Sequence, residues 1–261
     1  MSLARTALRL AAVEALNADP TIAILCLGNV YDSRIGNLEA DEPVPVITVY
    51  TEDDAGEAFS SNNGGPPFDE TCELLLEIAM RAVVPGSQDG ELGIAESDRE
   101  LEALVDLLEA RSIEALTIGD TPQSRLIRQK VTRRAASFKS MRFTTDDTGI
   151  KLAIRMVNLT VELKGDDRTD ATTVVTGPYA ALPEPLRSVA RSLPDGSSAK
   201  ALCDRLNGLA SGEAVAPLSR VDVVVAPRPS LDPKAMPERP PSSEVGLDRG
   251  TFGITATLDQ N

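Results

Sequence analysis

The sequence predicts an α+β fold: a small mixed, largely antiparallel sheet with helices packed on it, plus a C-terminal extension. Three observations predict it. The stretch 44–51, with Val44, Val46, Ile47 and Val49, is short, β-branched and alternating, as a half-buried strand requires. Two longer runs, 68–84 and 150–163, place apolar residues at every second position. Two stretches, 2–17 and 98–118, instead carry them at helical spacing. The order of these parts, with the chain organised around 44–51, says more about function than any catalytic signature, and no catalytic signature stands out.

Taken from the start, residues 2–17 read as a helix. Ser2 is a candidate N-cap, and Leu3, Ala7, Leu10 and Ala11 fall near one face. Asp19 and Pro20 stop it. An apolar run follows at 22–27, then a turn at Gly28 and Asn29, then a strand at 30–35. Pro43 and Pro45 stand at the start of the next strand, where a missing backbone donor is tolerated. Residues 52–67 read as an exposed acidic loop rich in Gly, Asn and Pro.

Residues 68–84 read as a long strand, because Leu74, Leu76, Ile78 and Met80 alternate with more polar neighbours. Ser97 and Glu100 form a capping box that opens a helix with Leu101, Leu104, Val105 and Leu108 on its buried side. Gly119 and Pro122 punctuate it, and a second helix is expected from Pro122 to about Ala136. Residues 140–145 read as a strand, 145–149 as a turn, and 150–163 as the returning strand. The apolar phase of that last strand changes near Met156 and Val157, which predicts a bulge or a change of buried face there.

Two domains are expected, 1–165 and 166–261. The second has a different texture: short helices at 182–193 and 198–209, a strand at 220–226, a Pro-rich arm from 226 to 241, and a final strand at 251–258.

The chain has 261 residues, enough to bury a sizeable core. With 3% aromatics and no Trp, that core must be aliphatic. Forty acidic against 26 basic residues give a formal charge of -14, which repels free nucleic acid and anionic membranes. The chain contains no histidine, which removes the commonest general base and metal ligand and excludes an ordinary Ser-His-Asp or Cys-His hydrolase. Cys26, Cys72 and Cys203 are far apart and show no metal-ligand spacing, so they read as reduced, packed thiols. No stretch approaches the roughly 20 apolar residues of a membrane span, and a cytoplasmic site of synthesis is expected.

Two charged features are candidate sites. Asp53, Asp54 and Glu57 lie in the acidic loop. They could hold Mg²⁺, with Asp146 or Asp147 nearby, but adjacent carboxylates more often form a solvated loop. From 121 to 145 there is no acid, and Arg125, Arg128, Lys130, Arg133, Arg134, Lys139 and Arg142 make a basic segment. It reads either as a solvated helix face or as a patch complementary to an acidic surface on another copy or protein. DNA contact is a weaker reading, because the chain as a whole is strongly acidic.

These parts together resemble the tail terminator proteins of long-tailed, lambda-type bacteriophages. The likeness lies in the opening helix around Leu8–Leu16, the Pro-led strand with Pro45, Val46, Val49 and Tyr50, and the acidic Gly-bearing loop. It continues in the strand through Glu73, Leu74, Leu76 and Ile78, and in Asp146, Asp147 and Gly149 leading into a final alternating strand. It covers residues 1 to about 165. The resemblance implies a virion protein without enzymatic activity or cofactor, assembled in the bacterial host cytoplasm and sited at the head-proximal end of the tail. It implies a homo-oligomeric hexameric ring that caps the tail tube, stops its polymerisation and joins it to the head-completion proteins. The partners implied are further copies of the chain, the tail tube protein and a head-completion or connector protein, with genomic DNA passing the lumen without specific binding and no membrane partner. The alternatives are another head-tail connector or baseplate adaptor, a Mg-dependent acidic-site enzyme, or a regulatory binder using the Pro-rich arm. The interface residues expected are Arg125, Arg128, Lys130, Arg133 and Arg134, with Asp53, Asp54 and Glu57 in the loop as a second contact.

Overall fold

The computed structural model describes residues 3–33, 45–58, 68–81, 98–145, 152–165 and 175–212. Ser2, the linker through Ser97, the turn with Asp146 and Asp147, and everything expected beyond residue 212 lie outside the described residues. The chain divides into a compact unit Met1–Glu213 and a second unit Ala214–Asn261, and all that follows concerns the first.

Six α-helices and five strands are described: α1 (Ala4–Asn17), α2 (Pro20–Cys26), β1 (Val30–Asp32), β2 (Val46–Ala58), β3 (Phe68–Arg81), α3 (Asp98–Thr117), α4 (Pro122–Leu126), β4 (Thr132–Thr145), β5 (Leu152–Leu163), α5 (Leu186–Ser192) and α6 (Ser198–Ser211). The strands form one mixed sheet in the order β1-β2-β3-β5-β4. Only β1 and β2 are parallel; the other neighbours are antiparallel. This is the α+β fold that the sequence predicts.

Alternation decides which face of the sheet carries the helices. Ile47 and Val49 of β2, Cys72, Leu74, Leu76, Ile78 and Met80 of β3, and Val157, Leu159, Val161 and Leu163 of β5 share one face and are buried. Against it pack α1 and α3, with Ile127 and Val131 from a π-helical turn that follows α4. In α1, Ala4, Ala7, Leu8, Leu10, Ala11, Ala12, Ala15 and Leu16 are all buried. It meets β1, β2 and β3 as well as α2, α3, α4 and α5. The alanines let so many elements come close, and each buried leucine contributes roughly 1.5–3 kcal/mol.

The sequence reading centred the chain on residues 44–51. In the structure β3 is the middle strand, with β2 beside it, and α1 is the element most others touch. The reason is covering: β3 is paired along both sides and closed on its helical face, whereas the outer half of β2 is exposed.

Further expectations are completed or corrected. The apolar run at 22–27 belongs to helix α2, with Pro20 in its first turn. Asp19, expected only to stop α1, caps α2 by accepting from the amides of Thr21 and Ile22, both at 3.0 Å. The loop expected from residue 52 is strand up to Ala58, because it pairs with β3 through Glu52↔Glu73 and, past a bulge, Ala55↔Thr71 to Ala58↔Phe68. The helix expected to run to Ala136 ends in the π turn at Val131, and β4 begins at Thr132. Pairing with β5 overrides the helix propensity of the Arg and Ala residues there. Finally, β5 has no phase change at Met156: its register with β3 is unbroken from Thr71↔Glu162 to Arg81↔Leu152. Its buried phase runs on through Ala153, but at Arg155 the chain places a cation among carboxylates instead of a hydrocarbon side chain. The irregularities lie in β4, between Thr132 and Arg134 and between Ala135 and Ser137.

Thr121 caps α4 through the Ser124 amide at 3.0 Å, and Pro122 occupies the first turn as expected. Gly119 is required just before it. A Cβ there would stand 2.8 Å from Ser124 Oγ and 3.0 Å from the backbone Cα of Ala115. Cys26, Cys72 and Cys203 are free and buried.

Asp19 joins two helices. Besides capping α2, its 4% exposed carboxylate accepts from the Arg111 guanidinium of α3 at 2.5 Å. Asp19→Ala is expected to cost about 2–4 kcal/mol, combining a lost cap with a broken, partly buried ion pair. Asp19→Asn retains the cap and should cost less. Urea denaturation of the two variants checks the order.

Candidate assembly surface

The first candidate surface is the outer half of β2. Strand β1 is only three residues long and pairs with Ile47, Thr48 and Val49. Past Tyr50, β2 has no strand on its outer side among the described residues. Residues 52–58 are exposed, and they form an arm with the start of β3. This arm carries Glu52, Asp53, Asp54 and Glu57, and Asp69 opposite Glu57. Asp53 and Asp54 form the bulge, with Asp53 at φ 38°, a left-handed conformation that Asp tolerates better than most residues. Asp54 lies 3.8 Å from Arg5 of α1.

The second surface is β4, the strand at the opposite edge. It is long, and residues 133–139 and 141–143 are exposed. Arg133, Arg134, Lys139 and Arg142 stand on it, together with Phe138, Met141 and Phe143, which are 60%, 39% and 48% exposed. Arg133 reaches Asp69 at 2.5 Å, and Arg134 reaches Glu162 at 2.5 Å. The Arg134 guanidinium holds the Glu162 carboxyl below the usual carboxylate range. Both pairs are exposed, so they are weak and exchangeable.

The basic segment therefore does not lie on one helix, as the sequence suggests. Arg125 stands on α4, 3.5 Å from Asp120. Arg128, in the π turn, donates to the Gly119 carbonyl at 2.6 Å and closes the end of α3. Lys130 is exposed in the same turn, and Arg133 and Arg134 belong to the edge strand. Arg133 and Arg134 share the edge strand with Lys139 and Arg142 and line a cavity of about 340 Å³ with Arg128, while Arg125 stands on α4. Asp53, Asp54 and Glu57 are together on the arm at the other edge.

One group escaped sequence reasoning. Arg155 on β5 is 16% exposed and meets three carboxylates of α3: Glu102 at 3.3 Å, Asp106 at 2.8 Å and Glu109 at 3.0 Å. Arg142 also pairs with Glu102 at 2.5 Å, and Ser140 donates to Glu109 at 3.0 Å. The network fastens α3 to β5 and to the edge strand. Its one sequence signal is the spacing of Glu102, Asp106 and Glu109 on one face of a helix.

A groove of about 750 Å³ between α1, β1 and α6 is lined by Leu10, Glu14, Tyr31, Asp32, Ser197 and Leu202, among others. Burial raises the Glu14 carboxyl above its ordinary range, but Asp32 is paired with Arg9 and Ser197 caps α6. Among the described residues no three metal-ligating side chains come together, and no helix is long and apolar enough to cross a membrane.

No protein-family model and no curated protein matches the chain. Among solved structures, a similar chain comes from the "Virion of native gene transfer agent (GTA) particle", at 16% identity and a TM-score of 0.33. The match covers 58% of this chain and 91% of that one. At that TM-score the neighbour's place in its particle has no bearing on this chain, and the functional reading rests on the residues above.

Proposed function

We propose that this protein is a structural component of a phage-like particle, and within that class a tail terminator. In this reading copies close into a ring, a hexamer by resemblance, that caps the tail tube and stops its growth. The ring offers its other side to the head-completion proteins. The observation that carries the reading is the sheet itself: helices cover one face, and both edges present long, exposed and charged strands. A subunit with two unlike edges makes head-to-tail contacts, and those close into rings when the rotation fits. The order of helix, Pro-led strand, acidic arm, long strand, helices and closing strand pair supports the terminator over other ring proteins. A net charge of -14 suits a lumen through which DNA slides without sticking.

The test is electron microscopy of the full chain with tail tubes of its own particle. A ring on one end of the tube, and tubes that no longer elongate, are expected. A ring found at the baseplate end or at the portal would make the protein an adaptor or connector. A protein that never associates with tubes or with itself would end the structural reading.

A further inference from the structure

We infer that the acidic edge of β2 in one copy pairs with the basic edge strand β4 of the next, so that one sheet runs from subunit to subunit. The inference rests on the ring reading above and names its interface. Three independent features converge on it.

The first is charge. The outer half of β2 carries Glu52, Asp53, Asp54 and Glu57, while β4 carries Arg133, Arg134, Lys139 and Arg142. Charged edge strands commonly guard a sheet against pairing with itself. Edges of opposite sign do not: they repel like edges and attract unlike ones, which permits only head-to-tail contact.

The second is strand direction. β2, β3, β5 and β4 alternate, so β4 runs antiparallel to β2. A neighbour rotated about an axis along the strands sets its β2 antiparallel to this β4, the favoured pairing for strand addition.

The third is register. Following the pairs across the sheet, Glu52 is level with Glu73, Thr160 and Ser137, and Ala55 is level with Thr71, Glu162 and Arg134. Tyr50 is level with Leu75, Asn158 and Lys139. A neighbour placed without a slide along the strands therefore sets the acids of the arm against Arg133, Arg134 and Lys139. The exposed pairs Arg133–Asp69 and Arg134–Glu162 hold these cations only weakly until then. Phe138, level with Leu159, Leu74 and Thr51, supplies apolar surface that such a contact covers.

The experiment uses the full chain and two sets of variants. Glu52→Lys with Glu57→Lys, and separately Arg134→Glu with Lys139→Glu, should each weaken self-association roughly a hundred-fold, read by mass photometry with and without tubes. Mixing the two reversed proteins should restore a heteromeric contact between their altered edges. The second set is Glu52→Cys with Ser137→Cys. Within one copy these positions are three strand spacings apart, about 14 Å, too far for a disulfide. Oxidation of the assembled protein should therefore give only intermolecular ladders. If rings form but show neither the charge effect nor the ladder, the edge pairing is wrong and the ring reading stands. If the wild-type chain forms no ring on tubes or alone, the ring reading falls and the pairing with it.

Discussion

Between pH 9 and 11 the protein is expected to lose stability on the order of 5 kcal/mol and to unfold toward the upper end. The cause is its three thiols. Burial among aliphatic side chains pushes Cys26 up to about 12, and Cys72 and Cys203 up to about 11, from an ordinary value of 9.0. The folded chain therefore keeps its thiol protons where the unfolded chain releases them. The stabilisation is complete below pH 9 and is lost as pH rises toward 11, because unfolding then releases protons. Tyr179, which donates to Asp204 at 2.7 Å and is pushed up to about 12, adds to the loss at the top of the range. A loss of that size is comparable to the whole stability of an ordinary domain. Urea denaturation at pH 8, 9, 10 and 11 measures it, and Cys26→Ala with Cys203→Ala should flatten the slope. Stability that stays level to pH 11 would mean that the thiols ionise without unfolding.

The same thiols show what was legible in the sequence. Three dispersed cysteines in a chain without metal-ligand spacing read as small apolar residues, and all three are buried and free. Elements with a buried face were equally plain: α1, β3, α3 and β5 each carry the apolar period of their type. Elements without one were not. The outer half of β2 and most of β4 are exposed, so neither shows an alternation that a hydrophobic pattern could reveal. Residues 52–58 looked like a loop because they are acidic, and residues 132–136 looked helical because nothing local marks a strand edge. Pattern reading detects burial, and exposed strands are held by backbone pairing with a neighbour distant in sequence.

The candidate surface was half legible for the same reason. Its charges were visible: an acid-free stretch containing Arg133 and Arg134, and a cluster with Asp53, Asp54 and Glu57. Their relation was not, because only the strand order β1-β2-β3-β5-β4 puts one group on each edge of a single sheet. The apparent phase change in β5 had a cause that no periodicity could supply. Arg155 occupies a core-facing position because α3 brings three carboxylates over it.

Replacing Arg155 with Met should destabilise the fold by about 3 kcal/mol or more. The loss comes less from the ion pairs than from what remains after them. Glu109, 14% exposed, would lose its cation, and Glu102, 32% exposed, would lose one of its two. Arg142 still reaches Glu102 and Ser140 still donates to Glu109, which caps the loss. Adding Glu109→Gln should recover a good part of it by removing the most buried stranded charge, whereas Asp106→Asn, at a 64% exposed position, should recover little. Urea denaturation of the single and double variants gives the order. Equal stability of Arg155→Met and the wild type would show that the network is solvated and idle. The network also bears on assembly, since Arg142 and Ser140 stand on β4 itself. An edge strand that receives a neighbour must be held straight before contact, or the ordering cost is drawn from the contact. Hydrogen exchange in Arg155→Met should therefore quicken along β4 more than along β3, which is paired on both sides.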